Sequence, residues 1–335
     1  MEAIAAIDVG SNAIRLVIGE LDSHGDIRIL KKLREPVRLG KDVFAGGPIS
    51  KKTLDKALTA FSKFRDLLQS HNVHHLKAVG TSALRDAADR SHFVSEVRRA
   101  SGIEIEVIDG IEEGRLIFSA VAHRIDLRDR VALLIDIGGG SVELTVADHG
   151  KIIGTQTFKL GTVRLLQMLE DQNLKERHLK GLIEDHMVEA RIFLNQTLKG
   201  RHVDFAIGTG GNFECLGKLR VALLHKNSIF SMTHAELLQL SEHLQSMSVK
   251  ERIQFLRLRP DRADVVVPAA VLTHSVMEIA NVDVLMVPYV GLRDGILEDI
   301  SACLPSSRAA SGPASRAAAG VPAAVTSGST TKLAR

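Results

Sequence analysis

Tryptophan is absent from these 335 residues, tyrosine occurs once, and aromatic residues amount to only 4%. Gripping single-stranded nucleic acid by base stacking needs rings, so no nucleic-acid polymer is expected as a partner. With 45% hydrophobic residues, the core must be built from Leu, Ile, Val and Ala. Cysteine is nearly missing as well. Cys215 and Cys303 are too few and too far apart for a disulfide framework or a zinc cluster, and Cys215 reads as a small buried hydrophobe. The fourteen histidines show no metal-ligand spacing, and His74-His75 reads as loop surface. No apolar run approaches the roughly 20 residues of a membrane span. The opening Met1-Glu2-Ala3-Ile4-Ala5 has no basic segment or long apolar stretch and reads as a strand, not a signal peptide. A reducing, cytoplasmic setting without a membrane partner is the expectation.

A basic field is lacking too. The formal charge is +3, but residues 305–335 carry Arg308, Arg316, Lys332 and Arg335 and no acid. The rest of the chain is therefore slightly acidic, and any anion site must be local. That tail is mostly Ala, Ser, Gly, Pro and Thr and is expected to be disordered.

What is present is an internal echo. Ile7-Asp8-Val9-Gly10-Ser11-Asn12-Ala13-Ile14-Arg15-Leu16 resembles Ile135-Asp136-Ile137-Gly138-Gly139-Gly140-Ser141-Val142-Glu143-Leu144. Apolar strands flank both copies, a turn and a third strand follow, and each copy reaches a similar phrase containing Arg38 or Arg164, taken as equivalent positions. The length allows two domains, and the echo suggests a duplicated α/β unit with a cleft between its halves. Amphipathic spacing predicts helices over Lys51–Ser70 and Glu112–Ala122. Further helices are expected over Leu174–Leu198, Ala235–Gln245 and Gly295–Cys303. Lys77–Gly80, Glu104–Ile108, Asp204–Ile207 and Val284–Val287 read as strands.

Three loops follow strands and are rich in glycine or small polar residues: Gly10-Ser11-Asn12, Gly138-Gly139-Gly140-Ser141 and Gly208-Thr209-Gly210-Gly211. Glycine lets the backbone approach a ligand closely, and successive N–H groups can converge on an anion. A helix starting after Gly211 would add its positive end. None of the three is a Walker A loop, a GxGxxG loop or a GxSxG elbow. Asp8 and Asp136 precede two of the loops. A carboxylate beside a phosphate needs a mediating cation, and Mg²⁺ is the natural one, with Mn²⁺ as an alternative. Asp109 and Glu112 fit a capping box at the start of a helix. That leaves Glu113 as the candidate general base for water. Arg85, after another strand, could clamp a phosphate oxygen with its planar fork.

The ordered set IDVGSNAIRL, GTSALRDA, VIDGIEEGRLIF, IDIGGGSVEL, LGTVRL, GTGGN and VGLRDGIL resembles the Ppx/GppA family of exopolyphosphatases and guanosine pentaphosphate phosphohydrolases, in its short two-domain form. The resemblance implies two actin-like, ribonuclease-H-like lobes (the ASKHA type) around a central cleft. The lobes would span 1–124 and 125–304, with a final helix at 291–304 packing back on the first. It implies Mg²⁺-dependent release of terminal phosphate from polyphosphate or from guanosine pentaphosphate, giving the tetraphosphate, by a homodimer. Site residues implied are Glu113 and Arg85 for catalysis and Asp8, Asp136 and Glu143 for metal. Phosphate would be held by Gly10, Ser11, Asn12, Arg15, Gly138, Gly139, Gly140 and Ser141, with the third loop's Gly208, Gly210 and Gly211. Ala13, Val142 and Asn212 depart from the usual family residues. A kinase of the actin-like superfamily and a non-catalytic sensor of polyphosphate or guanosine tetra- or pentaphosphate are the rival readings.

Overall fold

The computed structural model describes residues 2–304; the tail expected to be disordered lies outside them. Two mixed sheets carry the fold. The first comprises β1 (Glu2–Val9), β2 (Ile14–Leu21), β3 (Ile27–Glu35), β4 (His75–Gly80) and β5 (Ile105–Val107), ordered β3-β2-β1-β4-β5. The second comprises β6 (Val131–Ile137), β7 (Val142–Asp148), β8 (Lys151–Phe158), β9 (Phe205–Thr209), β10 (Ser231–Thr233) and β11 (Val284–Met286), ordered β10-β11-β9-β6-β7-β8. In each sheet three antiparallel strands are followed by parallel ones: β1 with β4 and β4 with β5, then β6 with β9 and β9 with β11. The second sheet adds only β10. Helices cover the sheets, so the α/β class with two actin-like lobes and a central cleft is what the chain adopts.

The duplication reaches down to register. β2 carries a register shift at Ile18/Gly19 and β7 one at Val146/Ala147, the same place in both copies. Glu35 pairs with Ile14 as Phe158 pairs with Val142. Gly40 N–H then donates to Ser11 O as Val163 N–H donates to Gly139 O. Counting along the chain from these pairs, Arg38 takes the place of Gly161, and Lys41 that of Arg164. The arginines of the two similar phrases are therefore not equivalent. Arg38 directly precedes a helix, Leu39–Phe44, without capping it, and reaches Asp264 at 2.5 and 3.0 Å. Arg164 binds Gly140 O at 2.8 Å and Asp86, and lies 4.0 Å over the Phe44 ring.

Helix Lys51–Ser70 forms over the expected span, its N-terminus capped by the Ser50 hydroxyl. The expected Leu174–Leu198 helix is broken: a short 3-10 turn leads into Leu179–His186, and a second helix, Val188–Leu198, follows Met187. Pro260–Ala280 has the length and mean hydropathy (1.4) of a membrane span, contrary to the sequence expectation, but 78% of that window is buried inside the protein. Its second part, Val266–Ala280, is the central helix of the second lobe's core.

The last helix, Leu292–Cys303, leaves the second lobe and packs on helix Gly110–Ala122 and on β1 of the first sheet. Asp299 anchors it, accepting from Lys77 at 3.0 Å and Arg115 at 2.8 Å.

Candidate active site between the lobes

Glu113 reaches the cleft because its helix lies unusually close to the second sheet. A Cβ on Gly110 would sit 1.6 Å from Thr157 Oγ1, and one on Gly114 would sit 2.8 Å from Thr145 Oγ1. Only glycine permits that approach, so Gly110 and Gly114 press the first helical turn against β7 and β8. The Asp109 carboxylate caps the helix by accepting from Glu112 N–H at 2.8 Å. The reciprocal half of the expected capping box does not form, because Glu112 is engaged by Arg115 at 2.7 and 2.8 Å. Glu113, left over from the cap, is 6% exposed and points inward.

It meets two acids of the second lobe. One carboxylate oxygen each from Glu113, Asp136 and Glu143 lies within 4.8 Å of the others. Asp136 and Glu143 are cross-strand partners on β6 and β7. Arg85 offsets this crowding: Nη1 donates to Glu113 at 2.7 Å, and Nη2 to Glu143 at 3.1 Å and Ser141 at 3.2 Å. Ser141 donates to Glu143 at 2.6 Å, and Thr209 donates to Asp136 at 2.7 Å. Burial still dominates. It pushes Asp136 up to about 6, with the Thr209 hydroxyl working against the shift. Glu113 is raised well above the ordinary range by burial, then by the Glu143 charge. Glu143 is raised by burial, then by the Asp136 charge.

The carboxylates fit a hard divalent cation. Glu143 Oε2 is buried with no hydrogen-bond partner among the described residues, and a set of oxygen donors suits Mg²⁺ or Mn²⁺ better than a soft metal. Asp8 stands outside the group of three. It is cross-strand from Arg15, which donates to it at 2.7 Å. In the second copy the position matching Arg15 holds Glu143, so one hairpin carries an ion pair where the other carries two acids.

The cleft holds a cavity of ≈ 90 Å³. Of the sequence candidates, Asp8, Gly10, Ser11, Asn12, Arg15, Glu113, Asp136, Gly138, Gly139, Ser141, Gly210 and Gly211 line it. The two hairpin turns close alike, Gly10 N–H donating to Ala13 O and Gly138 N–H to Ser141 O. Among the described residues the N–H groups of Ser11, Asn12 and Gly139 donate to no partner, which leaves them for an anion. The Asn12 side chain is engaged elsewhere, donating to Asp261 O at 2.9 Å and accepting from Arg38 at 2.7 Å. Gly210, with φ +81, turns β9 into helix Gly211–Leu224, whose N-terminus opens on the cavity.

Four candidates stand back from that surface. Gly208 lies in β9 beneath the Phe213 ring, and Gly140 abuts Phe44 and Ser82. Arg85 and Glu143 form the layer behind Glu113 and Asp136. The sequence reading missed Arg262 and Arg293, which line the cavity with Thr81, Ser82 and Glu214. Arg262 is 7% exposed and has no carboxylate partner within 4 Å among the described residues; Asn212, one of the departures from the family pattern, accepts from its Nη1. Burial lowers Arg262 to about 10. Four arginines fall between positions 252 and 262, a concentration that could have drawn attention to this segment. Arg293 lies within the VGLRDGIL motif, where it had been given no role.

Fold and site together define a two-lobed actin-like protein whose cleft combines a carboxylate group, unpaired backbone donors and buried arginine. The chain belongs to the Ppx/GppA phosphatase family, whose sequence model matches residues 17–302. It is 28% identical over 294 residues to a guanosine-5'-triphosphate,3'-diphosphate pyrophosphatase of Vibrio vulnificus, covering 87% of this chain and 58% of that one. It is 26% identical to exopolyphosphatase 2 of Mycobacterium tuberculosis, covering 88% and 97%. The structure superimposes on an exopolyphosphatase from Cytophaga hutchinsonii with a TM-score of 0.81 at 26% identity, covering 91% of this chain and 99% of that one.

Proposed function

We propose that this protein is an Mg²⁺-dependent phosphohydrolase that removes terminal orthophosphate from inorganic polyphosphate or guanosine pentaphosphate. The observation that carries the reading is the meeting of Glu113 and Asp136, backed by Glu143, at the wall of a cavity lined by two glycine turns and a helix N-terminus. The family, and relatives named for both activities, support it.

In this reading the N–H groups of Ser11, Asn12 and Gly139 and the guanidinium of Arg262 bind the terminal phosphate and its neighbour. Arg15, Gly138, Gly210 and Gly211 complete the cradle. Glu113, left over from the helix cap and lining the cavity, orients and deprotonates the attacking water. Arg85 holds Glu113 in place and offsets the charge on Glu143. Asp136 and Glu143 would hold the cation, with Asp8 facing it across the cleft. The cation would neutralise the charge that builds on the transferring group. Positioning and electrostatics supply most of such catalysis.

The division into lobes 1–124 and 125–304, the homodimer implied by the resemblance and a cytoplasmic setting belong to the same proposal; two free thiols suit a reducing compartment. The test is phosphate release from polyphosphate and guanosine pentaphosphate side by side, with and without Mg²⁺. Metal-dependent orthophosphate release from either is expected. Tight binding without release would replace the hydrolase with a sensor, and ATP-dependent phosphorylation of a small molecule would replace it with a kinase.

A further inference from the structure

The cleft does not end at the glycine turns. Beyond Arg15, Arg262 and Arg293 it opens into a second cavity of ≈ 430 Å³. The two cavities share those three arginines together with Gly211 and Glu214, so an anion seated in the first faces directly into the second. The new wall is composed of both lobes. Lys32 and Arg34 come from β3, Lys218 from helix Gly211–Leu224, and Arg257 and Arg259 from the segment before Pro260. Among the described residues Glu214 is the only acid lining it, and no aromatic residue does.

The charges there are largely uncompensated. Arg34 and Arg259 share Asp261. The side chains of Lys32 and Arg257 have no hydrogen bond or ion pair among the described residues, and that of Lys218 has only the Tyr289 ring at 5.9 Å. All three are exposed. Arg257 is moreover held at φ +53, a conformation uncommon for a residue with a side chain. Neighbouring cations also depress one another: after burial, Arg15 and Arg34 lower Arg262, and Arg15 lowers Arg293. A ligand carrying several negative charges along its length would relieve such crowding at several points at once.

We propose that this basic groove is the seat for the body of a linear polyphosphate chain, and that the protein is therefore built for polyphosphate rather than for a guanosine nucleotide. The proposal rests on the phosphohydrolase reading for the position of the chain's end, and adds the path of the remainder. A flexible run of identical charges is matched by cations at intervals on both walls. A purine gains from stacking on a ring, and the groove has none.

The test uses the full chain with Lys32→Ala, Lys218→Ala and Arg257→Ala combined, in a Glu113→Gln background so that ligand persists. Affinities are measured for long-chain polyphosphate, tripolyphosphate and guanosine pentaphosphate at several salt concentrations. Long-chain binding should weaken about tenfold and lose part of its salt dependence, while the two short ligands stay within about twofold. The groove falls if all three ligands weaken alike, if none does, or if guanosine pentaphosphate weakens most. Wild-type phosphate release is measured in parallel. Selective loss of long-chain binding without any wild-type turnover would keep the groove and remove the hydrolase; turnover with an unselective effect would do the reverse.

Discussion

Arg85 donates to Glu113 at 2.7 Å from a site with little access to water, its side chain 18% exposed and that of Glu113 7%. The same guanidinium continues to Glu143, so one cation offsets two buried acids that would otherwise repel each other. Removing one partner of such a pair leaves an uncompensated buried charge. Arg85→Ala should therefore cost about 3 kcal/mol in denaturant unfolding. Arg85→Lys should recover only part of this, because a single ammonium cannot span both carboxylates as a planar fork does. Full stability in Arg85→Ala would show that the acids are neutral in the native protein.

Glu113→Gln preserves size and hydrogen bonding but cannot take a proton. Phosphate release should fall by about 10²-fold or more with substrate affinity nearly unchanged. Steady-state kinetics with a direct binding titration checks this. Undiminished turnover would remove Glu113 as the base.

The raised carboxylates predict a pH effect with a definite sign. Asp136 moves from 3.8 to about 6 on folding, so its contribution to stability is complete below 3.8 and is lost as pH rises through about 6. Glu113 and Glu143 shift in the same direction. Melting temperature should thus fall across this window relative to Asp136→Asn. A divalent cation must displace those protons, so Mg²⁺ should raise the melting temperature at neutral pH and much less at pH near 5. A thermal shift from Mg²⁺ equal at both values would speak against Asp136 and Glu143 as its ligands.

Gly110 tests whether the closeness of the helix to β8 positions Glu113. Gly110→Ala would drive a methyl into Thr157 and move the helix. Displacements of about 1 Å can cost up to about 10²-fold in rate, with about 1–3 kcal/mol lost to overpacking. Adding Thr157→Gly should restore much of the turnover. Failure of that rescue would assign Gly110 another role.

The order of strands around the two turns was legible because the echo between Asp8 and Asp136 carries its own register. The phrase containing Arg38 and Arg164 misled because similar letters there lie three residues out of structural step, which only the paired backbone reveals. Helix Lys51–Ser70 announced itself by one apolar stripe. Helix Val266–Ala280 is enclosed on nearly every side and so has no polar face to mark it. The break at Met187 was hidden for another reason: both halves suit a helix, and packing sets the bend. Glu113 could be singled out because its neighbour Glu112 was explained by the cap, even though that cap forms only in part. Arg262 and Arg293 lie far from any glycine turn in sequence and become neighbours of the cleft only when helix Leu292–Cys303 and the segment after Arg252 fold against it.

Because helix Leu292–Cys303 belongs by contact to the first lobe, the second is threaded between two passages of the backbone, one before β6 and one after β11. A pair of bodies held by a single thread can swivel in any direction. Two threads restrain the pair more, and favour rotation about the line that joins them. An opening of the two lobes would have to bend both threads, and the second runs through Arg293, which lines both cavities of the cleft.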